Sequence, residues 1–279
     1  NSLKKIIRIL KKIGIKVLFI GSEYDIEFFS KHKEFIFSKT GTLVSLSSNK
    51  VIKKFSDKYR IIDILKKNKI PFPKTYELSS KIYKKQKIKF PVILKNKTGT
   101  SGKKVFIIKN LKELKFTSLF IDKPIIQEYI GRDLDVFQEY TCSFFACKDS
   151  KIIGPFLGKR NLKFGTSWIF ENINNKELRK TIMQISKLDK FEGSINIQLR
   201  YHKNKYVPFE INPRYSGTTV LRALQGFNEP EMYIKNFLLN KNILNPKIKK
   251  KGIFFRVIEE KLLTSKKLMQ IKEKQPFIN

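Results

Sequence analysis

The segment 193–214 carries amide and carboxylate side chains at regular positions. Gln198 lies in its first half, and Glu210 and Asn212 lie in its second half. Carboxylate and amide oxygens are ligands of hard cations such as Mg²⁺, with water and substrate phosphates completing the octahedron. Arg214 follows closely, and its planar guanidinium can hold a phosphate through two parallel hydrogen bonds. These residue types predict a metal site beside a phosphate site.

Two alternating runs would bring these side chains together. Residues 194–201 and 206–212 each alternate apolar with polar residues, the repeat of two that is typical of β-strands. The short polar linker 202–205 predicts a hairpin between them. In the second run the alternation predicts an apolar set on the face away from the ligands: Val207, Phe209 and Ile211.

The loop length of this hairpin decides which residues face each other. A three-residue loop centred on Asn204 predicts Gln198 directly across from Glu210, and Asn196 across from Asn212. Polar side chains on one face of a hairpin also commonly do no more than face water. The choice between these two interpretations depends on the rest of the chain.

Length and composition favour a folded globular protein. The chain has 279 residues, enough for a substantial core and two or three lobes, and 41% of its residues are hydrophobic. Lys and Arg number 59 against 24 Asp and Glu, which gives a net charge of +35. That charge is either a footprint for nucleic acid or an anionic membrane, or a consequence of composition. Lysines spread along the whole chain favour composition.

The cysteines and the apolar runs bear on the cellular setting. Cys142 and Cys147 lack the spacing of a redox pair or a zinc site, which predicts two buried, reduced thiols. No apolar run approaches the about 20 residues of a membrane span. The basic amphipathic segment 3–13 lacks a signal-peptide pattern. It predicts a helix packed on a sheet, with a helix lying on a membrane surface as the alternative. We therefore expect a cytoplasmic protein.

Hydrophobic periodicity and turn residues outline the elements. Helices are predicted over residues 3–13, 24–33, 49–55, 57–68, 111–114, 175–189, 218–224 and 229–239. Besides the hairpin, strands are predicted over residues 16–20, 90–95, 105–109, 124–130, 138–148, 151–154 and 253–257. Asp57 is a candidate N-cap, and the prolines of segment 70–73 mark a boundary.

A loop rich in glycine and hydroxyl residues, 97–104, lies between two predicted strands. Its small residues would let backbone N–H groups surround phosphate oxygens, although a plain turn has a similar composition. It is not a Walker A loop, because no glycine stands five positions before Gly102 and no helix follows. Lys95 ends the preceding strand. A lysine on the inner face of a buried strand is costly unless it is paired, which makes Lys95 a candidate anion ligand.

The order of the motifs resembles the ATP-grasp superfamily, within it the branch of the carbamoyl phosphate synthetase large subunit and related carboxylate–amine ligases. The series is Asp57-Lys58, IPFPKT (70–75), FPVILK (90–95), TGTSGKKV (98–105), IIQEYIG (125–131), EYT (139–141), Gly193 to Gln198, and FEINPR (209–214). The resemblance covers about residues 45–240. It implies an α/β (α+β) fold of two ATP-grasp lobes with a shortened N-terminal parallel-sheet domain.

The domains that the resemblance implies follow the motif order. They are an N-terminal domain (1–73), a small lobe with the phosphate lid (74–130), a large lobe with the metal site (131–262) and a basic tail (263–279). Members of the superfamily normally begin with a complete parallel-sheet domain, whereas here only one clear strand precedes Asp57. A fragment, a short variant, or a chain completed by a partner are the alternatives, and a homo-oligomer is a further expectation.

The resemblance also implies a nucleotide site. Two lysines match the positions that contact the phosphates and base of ATP, one segment matches the flexible lid, one the adenine-binding hinge, and one acid the position that binds the ribose. These residues are, in that order, Lys58 and Lys95; Gly99, Thr100, Ser101, Gly102 and Lys103; Gln127, Glu128, Tyr129 and Ile130; and Glu139. Because segment 131–138 is longer than usual, Asp133 or Asp135 is an alternative to Glu139.

The metal and catalytic residues come from the same resemblance. Gln198, Glu210 and Asn212 match the ligands of Mg²⁺, two ions in all, with Mn²⁺ as an alternative metal. Three basic residues match the catalytic positions: Lys95, Arg214 on the transferring phosphoryl group, and Arg160 where such ligases bind the substrate carboxylate.

The implied function is an ATP- and Mg²⁺-dependent ligase that activates a small carboxylate as an acyl phosphate for attack by an amine. One alternative is a basic nucleic-acid-binding protein, but basic residues interleaved with aromatic ones are missing from any one face. Another is an ATP-grasp protein that binds nucleotide without turnover. The complete metal set argues against this alternative, and the short N-terminal domain favours it. A Ser/His/Asp triad is not expected, since His32 and His202 lie in strongly polar segments.

Overall fold

The computed structural model describes residues 2–78, 88–99, 104–130, 139–163, 165–248 and 252–257. Several predicted site residues lie outside these ranges: Thr100, Ser101, Gly102, Lys103, Asp133 and Asp135. The predicted basic tail, 263–279, also lies outside them.

The described chain begins with a helix, and its other helices lie between strands along the sequence. They are α1 (Ser2–Ile13), α2 (Ile26–Thr40), α3 (Asn49–Ser56), α4 (Lys58–Lys67), α5 (Leu111–Ser118), α6 (Lys176–Ile185), α7 (Thr219–Leu224) and α8 (Glu229–Tyr233), with a 3-10 turn at Glu23–Asp25 and a π-helical turn at Ile234–Leu238. In this part of the chain, no helix is both long and apolar enough to cross a membrane.

The strands form three sheets. They are β1 (Val17–Leu18), β2 (Leu43–Val44), β3 (Thr75–Glu77), β4 (Val92–Asn96), β5 (Val105–Ile108), β6 (Pro124–Glu128), β7 (Glu139–Ala146), β8 (Ile152–Phe156), β9 (Gly158–Lys163), β10 (Thr166–Asn172), β11 (Gly193–His202), β12 (Lys205–Asn212) and β13 (Ile253–Phe255).

The N-terminal unit contains a parallel strand pair. Strand β1 pairs with β2, so the single strand predicted before Asp57 has a partner that the sequence pattern missed. A two-residue strand is too short to show an alternating pattern, which is why β2 was not predicted. Helix α2 continues to Thr40, beyond the predicted end, and stops at Gly41, whose φ of 69° is left-handed.

Two tyrosines fasten this unit to the large sheet. The hydroxyl of Tyr215 lies 2.7 Å from Ser45 Oγ, and Tyr233 Oη donates to the Val44 carbonyl at 3.1 Å. Burial raises the pKa of both phenols well above the usual range, so they remain neutral hydrogen-bonding groups. These contacts hold β2 and the residue that follows it against the segments that follow the β11–β12 hairpin.

The small sheet is four-stranded and antiparallel, in the order β3-β6-β4-β5. Leu94 and Ile126 pack against Leu114 of α5 on one face. Strand alternation places Lys95 on the other face, and only 6% of this residue is exposed. The predicted cap is confirmed, since the Asp57 carboxylate accepts from two backbone N–H groups at 3.0 Å each and starts α4 beside this face.

The large sheet has the order β12-β11-β7-β9-β10-β13, with β8 paired to β7. The hairpin of β7 and β8 was predicted, but β9 and β10 were not, because their strands carry too few apolar residues to alternate clearly. Helix α6 packs Leu178 and Ile182 on one face of the sheet, against Ile195 and Ile197. This packing leaves the polar residues of β11 on the opposite face.

The thiols of Cys142 and Cys147 are free and buried, as predicted. Burial raises the pKa of Cys142 to about 12 and that of Cys147 to about 11. Thiols of this kind are poor nucleophiles near neutral pH.

Candidate functional site

The hairpin of β11 and β12 turns more tightly than predicted. Its loop has two residues, Lys203 and Asn204, with φ values of 50° and 58°, and His202 pairs with Lys205. Two left-handed residues are typical of a type I′ turn, which matches the twist of paired strands. The predicted three-residue loop is therefore wrong.

A β-bulge restores the predicted pairing at the other end of the hairpin. The register shifts between the Leu199–Pro208 pair and the next pair, so that β12 gains one extra residue, Phe209. Beyond the bulge Gln198 lies directly across from Glu210, as the sequence predicted. The pairing of Asn196 with Asn212 is confirmed in the same way.

The bulge also changes which residues of β12 face the sheet core. Val207 now pairs with Arg200 on the polar face, and Phe209 borders a cavity. Tyr206 packs instead in the core with Ile211. The prediction that Val207 and Phe209 share the apolar face of Ile211 is therefore wrong, because one inserted residue reverses the alternation.

A cavity of about 1060 Å³ lies between the small sheet and this hairpin. The described part of the predicted site borders it: Lys58, Lys95, Gly99, Gln127, Glu128, Tyr129, Ile130, Glu139, Gln198, Glu210, Asn212 and Arg214. Segments that are far apart in the sequence thus meet on one surface. The alternative that the polar side chains of the hairpin only face water does not explain this. Arg160 is the described predicted residue that does not border the cavity.

Lys95 carries a buried charge on the cavity surface. Its Nζ donates to Gln127 Oε1 at 2.9 Å, and Gln127 Nε2 donates to Thr75 Oγ1 at 2.9 Å. Burial lowers the pKa of Lys95 to about 8, and the negative charge of Glu210 acts in the opposite direction. At pH 7 the amine remains mostly protonated, and its described hydrogen-bond partner is a neutral amide. This group is suited to a phosphate or carboxylate ligand.

The three predicted metal ligands share one face of the hairpin. They supply one carboxylate and two carboxamides, and no cluster of three or more His, Cys, Asp or Glu ligands occurs among the described residues. This donor set fits Mg²⁺ that is shared with nucleotide phosphates, rather than Mg²⁺ in an all-protein cage. The amide nitrogen of Asn212 is buried without a hydrogen-bond partner in the described chain, so the fold itself does not account for this polar side chain.

Arg214 lies two residues after the end of β12, the strand that carries Glu210 and Asn212. Its backbone N–H donates to the Asn212 carbonyl at 2.8 Å, and its Nη1 donates to the Tyr215 carbonyl at 2.9 Å. Its Nη2 forms an ion pair with Oε1 of Glu23, in the 3-10 turn of the N-terminal unit. Sequence reasoning missed Glu23, because nothing in the pattern of a polar turn indicates which distant residue it will contact.

The hinge segment after β6 is held by an arginine that the sequence analysis did not select. Arg200 Nη1 donates to the Ile130 carbonyl at 3.2 Å, and its guanidinium lies 5.7 Å from the ring centroid of Tyr129. The alternation that places Gln198 on the polar face also places Arg200 there, and this was the available signal. Arg200 therefore links Tyr129 and Ile130 to the β11–β12 hairpin.

Glu139 and Arg160 lie together instead of facing separate ligands. Glu139 Oε1 accepts from Arg160 Nε at 2.8 Å and from its Nη2, and Oε2 lies 3.7 Å from Arg200 Nη2. Arg160 Nη1 also donates to Ser167 Oγ at 3.3 Å. The guanidinium of Arg160 is thus engaged inside the protein, while Glu139 borders the cavity. Their roles toward ribose and carboxylate stay predictions.

The entrance to the phosphate loop is tied to α4. Lys58 Nζ donates to the Gly99 carbonyl at 2.6 Å, and the Lys58 backbone N–H donates to the Lys97 carbonyl at 2.9 Å. Lys58 and Gly99 border the cavity beside Lys104. Two basic side chains, Lys58 and Lys104, therefore lie on the cavity surface near the described ends of the loop.

Comparison with known families matches two parts of the chain. Residues 55–136 match the family described as a RimK-like ATP-grasp domain. Residues 159–260 match the family described as ATP-grasp in the biosynthetic pathway with Ter operon. The first range contains the small sheet with Lys95, and the second contains the hairpin with the predicted metal ligands.

Individual relatives are more distant. The coenzyme gamma-F420-2:alpha-L-glutamate ligase of Methanocaldococcus jannaschii is 28% identical over 171 residues, which cover 56% of this chain and 57% of the relative. This chain therefore spans little more than half the length of that relative.

Solved structures support the fold at low identity. The L-amino acid ligase from Bacillus licheniformis superposes with a TM-score of 0.60 and 16% identity, covering 75% of this chain and 52% of that one. The biotin carboxylase domain of the Hydrogenobacter thermophilus 2-oxoglutarate carboxylase, in complex with MgADP, ADP and bicarbonate, gives a TM-score of 0.72 and 15% identity, covering 90% of this chain and 60% of that one. The mixed α/β architecture, with its short parallel N-terminal sheet and two larger sheets around one cavity, is shared with these enzymes. Both larger sheets of this chain are thus similar to ATP-grasp domains, in sequence through the two family matches and in fold through the solved structures.

Proposed function

We propose that this protein is an ATP- and Mg²⁺-dependent ligase that joins a small carboxylate to an amine through an acyl phosphate. The observation that carries the proposal is the meeting of Lys95, the Gln198–Glu210–Asn212 set and Arg214 on one cavity. The alpha-L-glutamate ligase and the L-amino acid ligase among the similar proteins support an amino acid as one substrate.

The proposed site has one role for each part of the chain. Residues 1–73 form the N-terminal domain, 74–130 the small lobe, and 131–262 the large lobe. Hinge residues Gln127 to Ile130 bind adenine, with the Glu128 carbonyl as an acceptor, and Glu139 or a neighbouring acid binds the ribose. Residues 99–103 cover the phosphates together with Lys58.

Gln198, Glu210 and Asn212 would hold Mg²⁺, and the proposal includes two ions, with Mn²⁺ able to replace them. The metal supplies positive charge that offsets the charge on the phosphate oxygens during transfer. With a single carboxylate in this donor set, most of its affinity comes from the nucleotide phosphates.

In the first step a carboxylate oxygen of the substrate attacks the γ-phosphorus of ATP. The bond from that phosphorus to the bridging oxygen breaks, ADP leaves, and an acyl phosphate forms. Negative charge is concentrated around the transferring phosphoryl group, so positioned cations lower the barrier. Lys95 and Arg214 lie on the cavity surface where they can donate to its oxygens.

In the second step the amine attacks the acyl carbon, loses a proton, and displaces orthophosphate to give an amide. An acyl phosphate is also open to hydrolysis, so the site must exclude water during this step. Ile93 and Phe209 supply apolar surface to the cavity, and the Phe209 ring centroid lies 5.8 Å from Lys95 Nζ. We assign Ile93 and Phe209 to excluding water from this part of the cavity.

The test is a phosphate-release screen with ATP and Mg²⁺ over pairs of amino acids and other small carboxylates. Once a substrate pair is found, Glu210→Ala should lower turnover by about 10²–10³-fold, because a group that serves the transition-state charge is lost. Glu177→Ala is the matched control: Glu177 is an exposed carboxylate in the first turn of α6, away from the cavity.

The outcomes separate the proposals. Unchanged turnover in Glu210→Ala would remove the metal assignment. Nucleotide binding without phosphate release for any pair would favour an ATP-grasp protein that binds nucleotide without turnover.

A further inference from the structure

The guanidinium of Arg214 already has an anionic partner from a distant part of the chain. Its Nη2 pairs with the carboxylate of Glu23, and only 12% of the Arg214 side chain and 23% of the Glu23 side chain are exposed. Both residues border the cavity. A carboxylate therefore occupies donor atoms that the proposed reaction assigns to a phosphoryl group.

Arg214 has little freedom to move away from this contact. Its backbone is hydrogen-bonded to the Asn212 carbonyl, and its Nη1 donates to the carbonyl of Tyr215, whose own hydroxyl lies 2.7 Å from Ser45. The guanidinium is thus fixed beside the metal hairpin. An incoming anion must meet it there and must compete with Glu23.

Glu23 lies in a short turn of the N-terminal unit. It begins a single 3-10 turn, and the preceding Ser22 makes no side-chain capping hydrogen bond. The next residue, Tyr24, is 68% exposed. A short surface turn can shift with less loss of packing than the sheet that carries Arg214.

From this geometry we infer that Glu23 is a built-in competitor for the anion subsite at Arg214. Its carboxylate stands in for the γ-phosphoryl group of ATP, and then of the acyl phosphate, and binding of that group displaces it. The inference rests on the proposed function, because it takes the ligand of Arg214 to be the transferring phosphoryl group. It implies that the N-terminal unit senses whether the phosphoryl position is filled.

Glu27 provides a matched control on the same surface of the cavity. It lies in the first turn of α2, borders the cavity and is exposed. A Glu27→Gln change removes the same charge as Glu23→Gln from a nearby position. Any general effect of charge on nucleotide binding should therefore be shared by both variants, whereas loss of direct competition should be confined to Glu23.

The experiment measures affinity by calorimetric titration of the full chain with the β,γ-imido analogue of ATP and with ADP, both with Mg²⁺. Glu23→Gln should bind the triphosphate analogue about fivefold more tightly, the size expected for release of one partly exposed ion pair. Its affinity for ADP, which has no γ-phosphoryl group, should change less than twofold. Glu27→Gln should leave both affinities within about twofold of the parent.

A second variant separates contact from charge. Glu23→Asp keeps the charge and withdraws the carboxylate by one methylene, so it should also tighten triphosphate binding. Thermal melting verifies that each variant is folded. If Glu23→Gln does not fold, Glu23→Asp decides the matter.

Three results would overturn the inference. Unchanged or weaker triphosphate binding in the Glu23 variants would show that Glu23 aligns Arg214 instead of competing. Equal gains for Glu23→Gln and Glu27→Gln, or equal gains for triphosphate and ADP, would show a general charge effect. A parent protein that binds neither nucleotide would overturn the proposed function and this inference with it.

Discussion

Two groups of buried charge, one between helices α7 and α8 and one around the cavity, are arranged in different ways. Arg222 and Glu229 are 1% and 0% exposed and pair with each other at 2.8 Å. Around the cavity, Lys95 is almost as deeply buried, but the hydrogen-bond partner described for it is neutral Gln127. The first group is satisfied within the protein, and the second leaves charge to be matched by a ligand.

The Arg222–Glu229 pair is surrounded by hydroxyl groups. Glu229 Oε1 accepts from Ser143 Oγ at 2.6 Å and from Ser194 Oγ at 2.7 Å, and Arg222 Nη1 donates to Thr218 Oγ1 at 2.6 Å. These contacts link β7 and β11 to helices α7 and α8. Such a network stabilises one arrangement of the chain. A member that lost its partner would stay buried without a hydrogen bond or an opposite charge, at a large cost in free energy.

The cavity charges lie in three separate parts of the fold. Lys95 lies on the small sheet, Glu210 on the large sheet, and Glu23 in the N-terminal unit. No single element can satisfy them, so their energies depend on what lies between the sheets. We conclude that burial alone does not distinguish a structural charge from a functional one, whereas the set of partners does.

The largest effect is expected from breaking the buried Arg222–Glu229 pair. Glu229→Ala leaves the guanidinium of Arg222 buried without its carboxylate and should cost about 3–5 kcal/mol of the free energy of unfolding. Glu210→Ala, a partly exposed residue at the cavity, should cost less than about 1 kcal/mol. Urea denaturation at pH 7 measures both. Equal losses in the two variants would contradict the distinction.

The next effect is the pH dependence of stability that we expect from Lys95, the buried charge at the cavity. Because the pKa of Lys95 is lowered from 10.5 to about 8, the unfolded chain binds more protons between these values, and stability should rise with pH across this window. Lys95→Met removes the titrating group. Relative to this variant, the parent should gain about 3 kcal/mol in the free energy of unfolding between pH 7 and about 10.5.

The control for this experiment is Lys104→Met, since Lys104 also borders the cavity but is exposed to solvent. Other titrating groups cancel when each variant is compared with the parent over the same pH range. A parent and a Lys95→Met variant that change in parallel would show that burial does not perturb Lys95.

The smallest expected effect is the uptake of a fraction of a proton when nucleotide binds. Phosphate oxygens beside Lys95 should raise its pKa again, so that nucleotide binding near pH 8 takes up as much as about half a proton. Calorimetry of ADP and Mg²⁺ in buffers of different ionisation enthalpy measures this uptake. It should decrease at pH 6.5, where the lysine is already charged, and disappear in Lys95→Met. Uptake that persists in this variant would assign the proton to another group.

The sequence by itself determined the local features of this protein. The alternation in 194–201 and 206–212 predicts the hairpin, and Asp57 predicts the start of α4, because strand pleats and helix caps depend on neighbouring residues only. The motif order predicted the resemblance to the ATP-grasp superfamily, which the two family matches support, and the polar residues of the hairpin predicted the candidate ligands. Even the pairing of Gln198 with Glu210 was predicted, although the loop length assumed for it was wrong.

Only the tertiary structure decided which of these features act together. The bulge at Phe209 reverses the alternation of β12, and the pairs Arg214–Glu23 and Arg160–Glu139 join segments that no local pattern connects. Side-chain partners of this kind are chosen by the packing of whole sheets, and a one-residue change of register moves every following side chain to the other face. The physical reason is that periodicity fixes the direction of a side chain within its own element, whereas the position of its partner is fixed by contacts made elsewhere in the chain.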